Sequence, residues 1–264
     1  MEIDTQHNEN IQEFQVDDSI INKVNQLKEI FVVGNDRPEP DHKICNTIIK
    51  WIKDNNLIVT DVFDMVMNQC HNPEYYSLLA FLYLNRIGNT GGNKEAFHYY
   101  KLAAENGDLL SQQELGTFYS GGRGCKKDQK KALYWYQKAA DGGLVVAQYY
   151  LGCLYLNIFF DTDKGIEYIT KSAEAGFSGA QVKLATLYFN GDKTKMNLRA
   201  VLYWYKRAAS DGYLHLAKLF AYGTGVNKDM HEALRYFLLH TKSDDSQHVF
   251  RRPLQGFLLE NVLG

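Results

Sequence analysis

The sequence predicts an all-α protein, an α-solenoid of about five helix-turn-helix repeats with a helical N-terminal extension and a C-terminal capping helix. Three observations carry this. The first is a stripe of Ala, aromatic residues at +3 and +4, and small residues at +7 and +8. It appears as Ala96, Tyr99, Tyr100, Ala103, Ala104; as Ala132, Trp135, Tyr136, Ala139, Ala140; and as Val201, Trp204, Tyr205, Ala208, Ala209. Gly165, Tyr168, Ile169, Ser172, Ala173 is a degraded copy, and Ala233, Tyr236, Phe237 opens a fifth. That spacing is one face of an α-helix. The second observation is a preceding helix marked by Leu, a small residue, and an apolar residue and Tyr at +3 and +4. Its copies begin at Leu79, Leu115, Leu151 and Leu184, with a fifth at Leu216. The third is the period, because both marks advance by 36 residues with one step of 33, the sequence signature of a stacked array.

Taken in order, residues 1–18 form an acidic tail with six acids and no Lys or Arg, which predicts disorder and is the reverse of a targeting presequence. Residues 19–72 read as a helical lead-in. Ile20, Ile21, Val24, Leu27, Ile30 and Phe31 predict a first helix capped by Asp18 or Ser19. Gly34 to Asp41, with Pro38 and Pro40, reads as a breaker loop. Ile44, Ile48, Ile49, Trp51 and Ile52 predict a second helix, and Val62, Phe63, Val66 and Met67, after Thr60 as cap, a third. Asn72-Pro73 reads as the N-cap and first position of the first repeat helix. The repeats span 73–241. Gly107, Gly142, Gly176 and Gly212 close the second helix of repeats 1 to 4, where a left-handed cap belongs. The third repeat loses three residues in its loop. The fifth loses four, which predicts a first helix shortened by about one turn. Residues 242–264, with Phe250, Leu254, Phe257, Leu258 and Val262, predict a final capping helix.

The 36-residue period joins several local marks: Ala147-Gln148 and Ala180-Gln181, the Leu-Gly-x-x-Tyr core, the Gly-x-Gly turns at 122–124 and 223–225, Asp128 and Asp229, and Ala-Leu-Tyr-Trp-Tyr-x-Lys-Ala-Ala at 132–140. Together these resemble Sel1-like repeats, relatives of the tetratricopeptide repeat, over residues 74 to about 241. The resemblance implies a right-handed solenoid whose first helices line a concave face. It also implies roles as adaptors in endoplasmic-reticulum-associated degradation, as activators of chitin synthase, or in signalling assemblies. The lead-in weakly resembles the segment before such repeats in fungal proteins that also carry a kinase domain, but the kinase motifs themselves are absent here.

Composition narrows the function. The chain has 264 residues, 45% hydrophobic and 23% charged, with a net charge of −2, the profile of a folded protein. Its positive charge is too dilute for a nucleic-acid footprint, so no nucleic-acid partner is expected. Cys45, Cys70, Cys125 and Cys153 are widely spaced, which suggests neither a zinc knuckle nor a disulfide framework. Residues 142–160 carry no charge over nineteen positions but fall in register with charged segments, and so read as a buried helix and not a membrane span.

The search for chemistry yields no constellation. His231 and His240 lie on opposite helical faces. Gly121-Gly122-Arg123-Gly124 joins two helices instead of a strand and a helix, as a phosphate loop would require. Neither Cys125 nor Cys153 has a His at helical spacing, so a thiol nucleophile is unsupported. No catalytic residue, metal or cofactor is expected. The recurring Trp135 and Trp204 read as packing residues.

Function is then expected where repeats differ while pointing the same way. The second residue after each marker Leu forms one column, Phe81, Thr117, Cys153, Thr186 and Lys218. A second, two residues before it, is Ser77, Gln113, Tyr149, Val182 and Leu214. Asn85, Asn157 and Asn190 form a third, suited to hydrogen-bonding a peptide backbone. The candidate partner-binding residues are therefore Ser77, Phe81, Asn85, Gln113, Thr117, Tyr149, Cys153, Asn157, Thr186 and Asn190. The expectation is a non-catalytic, cytoplasmic adaptor or scaffold for another protein in signalling or complex assembly, binding a peptide or helix. Two alternatives stay open: a structural solenoid that self-associates as a homodimer, and a hydrolase like some secreted bacterial relatives, which carry paired cysteines that this chain lacks.

Overall fold

A computed structural model describes residues 18–36, 41–191 and 194–243. The acidic segment up to residue 17, the two prolines at 38 and 40, and the expected capping helix beyond residue 243 lie outside the described residues. Those described form thirteen α-helices and no strand. They divide into two compact units, Met1–Tyr99 and Tyr100–Gly264, so the cut falls inside the first repeat.

In the first unit, α1 (Asp18–Asp36), α2 (Asp41–Asp54) and α3 (Val59–Met67) form the lead-in. A 3-10 turn (Pro73–Tyr75) then enters α4 (Tyr76–Leu84), the first helix of repeat 1, and α5 (Asn93–Glu105) is the second. Val24, Leu27 and Phe31 of α1 bury against the same core as Ile48 and Ile52 of α2, Val62 and Val66 of α3, and Leu78, Leu79 and Leu82 of α4. Each fully buried aliphatic side chain contributes about 1.5–3 kcal/mol. The Asn72 side chain accepts from the Glu74 N–H, and Pro73 holds the first position as the sequence predicts. The Tyr75 hydroxyl donates to Asn25 Oδ1 at 2.6 Å, tying the entry to α1.

Two expectations for this unit are corrected. The break expected over Gly34 to Asp41 starts later, because α1 runs through Gly34 to Asp36 before α2 begins at Asp41. A Cβ on Gly34 would stand 3.0 Å from Ile44 Cγ1, so this glycine serves the close approach of α1 and α2. Thr60 does not cap α3. Ile58 takes that position with no side-chain bond, while the Thr60 hydroxyl lies against Asp61.

The second unit alternates the two helix types. The first helices of repeats 2 to 5 are α6 (Leu109–Gly121), α8 (Val145–Leu154), α10 (Ser178–Asn190) and α12 (Ser210–Tyr222). The second helices are α7 (Gln129–Asp141), α9 (Thr162–Glu174), α11 (Leu198–Arg207) and α13 (Met230–Ser243). Small residues set the spacing. A Cβ on Gly116 would stand 2.6 Å from the Tyr136 ring, and one on Gly152 2.8 Å from the Gly165 carbonyl. The cap residues recur with the repeats. Asp128, Asp161, Asn197 and Asp229 each accept from N–H groups of the first turn of the helix they open. Their own N–H groups donate to the carbonyls of Tyr119, Tyr155, Tyr188 and Phe220. Gln112 and Gln181 donate to the carbonyls of Ala104 and Ala173, closing the C-terminal end of the preceding helix.

The turns depart from expectation at three places. Gly142 is right-handed, and its neighbour Gly143 takes the left-handed position at φ +92°, as Gly107 and Gly176 do. Gly212 lies inside α12, where a Cβ would meet the Tyr205 carbonyl oxygen at 1.8 Å, and Ala209 carries the positive φ, +49°. The four missing residues of repeat 5 are therefore not taken from its first helix. α12 keeps 13 residues, like α6 and α10, while α11 has 10 against 13 in α7 and α9. The three missing from repeat 3 do come from its loop: a single π-turn (Tyr155–Phe159) and residues 160–161 connect α8 to α9, leaving Phe160 at φ +54°. The uncharged stretch 142–160 is thus α8 and this turn, and among the described residues no helix is long and apolar enough to cross a membrane.

Candidate functional site

The site is built on the first helices, and the candidate residues divide sharply by burial. In the first unit, Phe81 is buried, its ring 5.1 Å from that of Phe31. Asn85 donates to the Phe81 carbonyl at the end of α4, and Ser77 is half-buried.

In the second unit Gln113 is also buried, donating to Glu114 and Thr117. Phe81 and Gln113 therefore present no surface to a partner. Lying off the packing stripe of one helix pair did not make them exposed, because a further element covers them or their polar ends turn inward. Thr117 and Thr186 have an internal task. Thr117 Oγ1 and the Tyr136 hydroxyl share a hydrogen bond at 3.0 Å, and Thr186 Oγ1 and the Tyr205 hydroxyl share one at 3.2 Å. Where the tyrosine changes, the partner changes too: repeat 3 has Ile169 and Cys153, and repeat 5 has Phe237 and Lys218. The variation that suggested recognition in this column is in part packing complementarity.

What remains open lies in the crevices between successive first helices. Between α6 and α8, the Tyr150 ring stacks on Tyr136 at 5.6 Å and is itself 37% exposed. Tyr149 packs edge-on to Tyr150 and Phe177 and interacts with Cys153. Burial raises the pKa of Tyr149 and of the Cys153 thiol, so both stay protonated and neutral at pH 7. Asn157 and Asn190 are exposed at the ends of their helices.

Between α10 and α12 the same arrangement holds a cleft of about 330 Å³. His215 stacks flat on Tyr205, centroids 4.8 Å apart and 3° from parallel. Lys218 and Tyr222 open its rim, the latter 59% exposed. Burial, and then the nearby Lys218, lowers the His215 pKa. Sequence reading missed this cleft. The signal for it was that His215 holds the same relation to Tyr205 that Tyr150 holds to Tyr136, hidden by the four-residue deletion between them.

Charge is segregated between the helix types. α6, α8, α10 and α12 carry four charged residues, Glu114, Lys183, Asp211 and Lys218; α7, α9, α11 and α13 carry fifteen. Among the described residues no group of three His, Cys, Asp or Glu side chains is arranged to hold a metal ion. The glycine-rich segment at 121–124 joins α6 to α7 as a helix-helix turn, with Gly122 and Gly124 at positive φ. Trp204 is buried and Trp135 half-buried beneath the Lys138 ammonium, so the recurring tryptophans do pack within repeats.

Comparison with known proteins agrees with this architecture. The Sel1 repeat pattern matches residues 73–108, 109–144, 145–177, 178–213 and 210–239, the last two overlapping where the turn is shortened. A Sel1 repeat protein from Oxalobacter formigenes is 24% identical over 84% of this chain and 100% of its own, with a TM-score of 0.63. A protective antigen of uropathogenic Escherichia coli with an SLR fold is 25% identical over 76% of this chain, TM-score 0.60, and this chain spans only 43% of its length. An immunity protein from Pseudomonas aeruginosa is similar in fold alone, 15% identical over 83% of this chain and 81% of its own, TM-score 0.53. No curated protein matches the sequence. With five consecutive repeats in register, the chain belongs to the Sel1-repeat family and is an all-α solenoid.

Proposed function

We propose that the protein is a non-catalytic adaptor or scaffold that binds a segment of another protein along the layer formed by α8, α10 and α12. One observation carries this reading. The first helices of repeats 2 to 5 carry only four charged residues while the second helices carry fifteen. A charged group forced from water costs free energy unless it is paired, so a face meant to be covered is best built from uncharged polar groups and rings. Tyr149, Tyr150, Cys153, Asn157, Thr186, Asn190 and Tyr222 are groups of that kind, and Asn157 and Asn190 supply amides for a peptide backbone. Ser77 and Asn85 are the remaining candidates within the first unit taken by itself. The fold relatives include proteins named for immunity and antigenic roles, and repeat arrays in general work through extended binding faces.

Selection of peptides from a random display library on the immobilised protein, followed by calorimetry, tests the reading. Selected peptides are expected to bind Asn157→Ala and Tyr222→Ala at least about five-fold more weakly, the loss typical of an interface residue worth 1 kcal/mol. The outward-facing variant Lys130→Ala should bind as the wild type does. Peptides lost equally in Lys130→Ala, or a library without binders, would remove the reading. A protein that only pairs with itself would give a concentration-dependent mass by light scattering and no binders.

A further inference from the structure

We infer that the cleft between α10 and α12 recognises a carboxylate side chain, Asp or Glu, of the bound segment, with an apolar neighbour of that residue resting against the His215–Tyr205 stack. This rests on the proposed reading and supplies its specificity. The cleft has an apolar floor, from Phe189, Tyr205 and Leu219, and one cation at its rim, Lys218. Among the described residues no Asp or Glu lines it. Among the described residues the layer around it is otherwise almost uncharged and no carboxylate faces Lys218 across the cleft, although the chain as a whole is acidic. Thr224 adds a hydroxyl at the wall, while the Thr186 hydroxyl is spent on the Val182 carbonyl and Tyr205. A cation, a hydroxyl and stacked rings around 330 Å³ fit a carboxylate with an adjoining methylene or ring.

His215 adds a pH signature. The groups acting on it are Lys218 and Asp211 of α12, His240 of α13 and the neutral Tyr205 of α11 on which it stacks. Without ligand, burial and Lys218 hold it neutral below its ordinary pKa. A carboxylate placed beside it would favour the imidazolium, so binding would take up a proton. Affinity should then rise as pH falls from about 7.5 to about 5.5, across the ordinary His range. Below that window the gain levels off.

The experiment is an array of random 15-residue peptides probed with the full chain at pH 7.5 and pH 6.0. Bound peptides are expected to be enriched in Asp or Glu beside a hydrophobic residue. Lys218→Glu, an exposed change whose folding circular dichroism confirms, should weaken them at least ten-fold and favour Lys- or Arg-bearing peptides. His215→Phe keeps a ring on Tyr205 and should bring the ratio of affinities at pH 6.0 and pH 7.5 to about one, whatever its affinity at either pH. Replacing the peptide's acid by Gln or Asn should mimic Lys218→Glu. Binders without acidic enrichment, or binders indifferent to Lys218→Glu, overturn this inference and leave the protein-binding reading standing. Displacement of bound peptide by millimolar inorganic phosphate would make the cleft a site for free anions and also overturn it. An array that yields no binder at either pH overturns both.

Discussion

At the residue scale, the tie between Thr and Tyr is the smallest unit that links the two helix types. Tyr136 and Tyr205 are buried, so their hydroxyls need partners, and Thr117 and Thr186 supply them. Thr117→Val and Thr186→Val keep the shape and remove the bond. Each is expected to lower unfolding free energy by about 1 kcal/mol, more than a surface change and less than a cavity. Urea titration with an unchanged m-value is the check. Gly152→Ala tests steric approach instead. Its new methyl meets the Gly165 carbonyl and Ile169, backbone that cannot turn away, and should cost about 1–3 kcal/mol. The small residue after each marker leucine was legible in the sequence as a place where helices approach. The Thr column was not, because its partner stands nineteen residues away on another helix, and only the structure showed that the two columns meet in a hydrogen bond.

His215 gives a pH prediction at the same scale. Its native pKa lies below the unfolded value, so the unfolded chain binds the proton more readily. Stability is then complete above the ordinary His pKa of about 6.5 and falls as pH drops through that value toward the native one. The lowered carboxyls of Glu74, beside Lys28, and Asp161, bonded to the Lys164 N–H, act at lower pH and do not enter this window. Thermal denaturation between pH 7 and pH 5 should show a decline that His215→Phe flattens.

At the element scale, the repeats are held together by their ends as much as by their faces. Asp229 receives the N–H groups of His231 and Glu232, and Asp229→Ala should cost about 1 kcal/mol through loss of the cap. The α11–α12 turn carries the opposite opportunity. Ala209 sits at φ +49° and ψ −122°, a region L-residues disfavour, and Ala209→Gly is expected to stabilise by about 1 kcal/mol in the same urea assay. Helix existence, order and period were all readable in the sequence, because rings and small residues keep their spacing through every copy. Where a deletion would be absorbed was not. Repeat 5 could give up a turn of α12 or shorten α11 and its connection, and the second option preserves the stripe of α12 that packs against α13. Gly34 set the start of the break too early for a related reason: α1 continues to Asp36, and the glycine marks a contact with Ile44.

At the scale of the molecule, the aromatic richness of the chain resolves into construction. Tyr83 on Tyr99, Tyr155 on Tyr168 and Phe220 on Tyr236 are the same ring pair in three repeats, the first within the N-terminal unit. The binding claim rests on a different property, the separation of charge between helix types. That separation was present in the sequence but visible only once the helices were sorted into layers. The measurement that tests it most directly is hydrogen–deuterium exchange of the protein with and without a saturating, display-selected peptide. New protection is expected in α8, α10 and α12, with α7, α9 and α13 changing little. Protection concentrated in the charged second helices, or in α1 to α3 alone, would contradict the account.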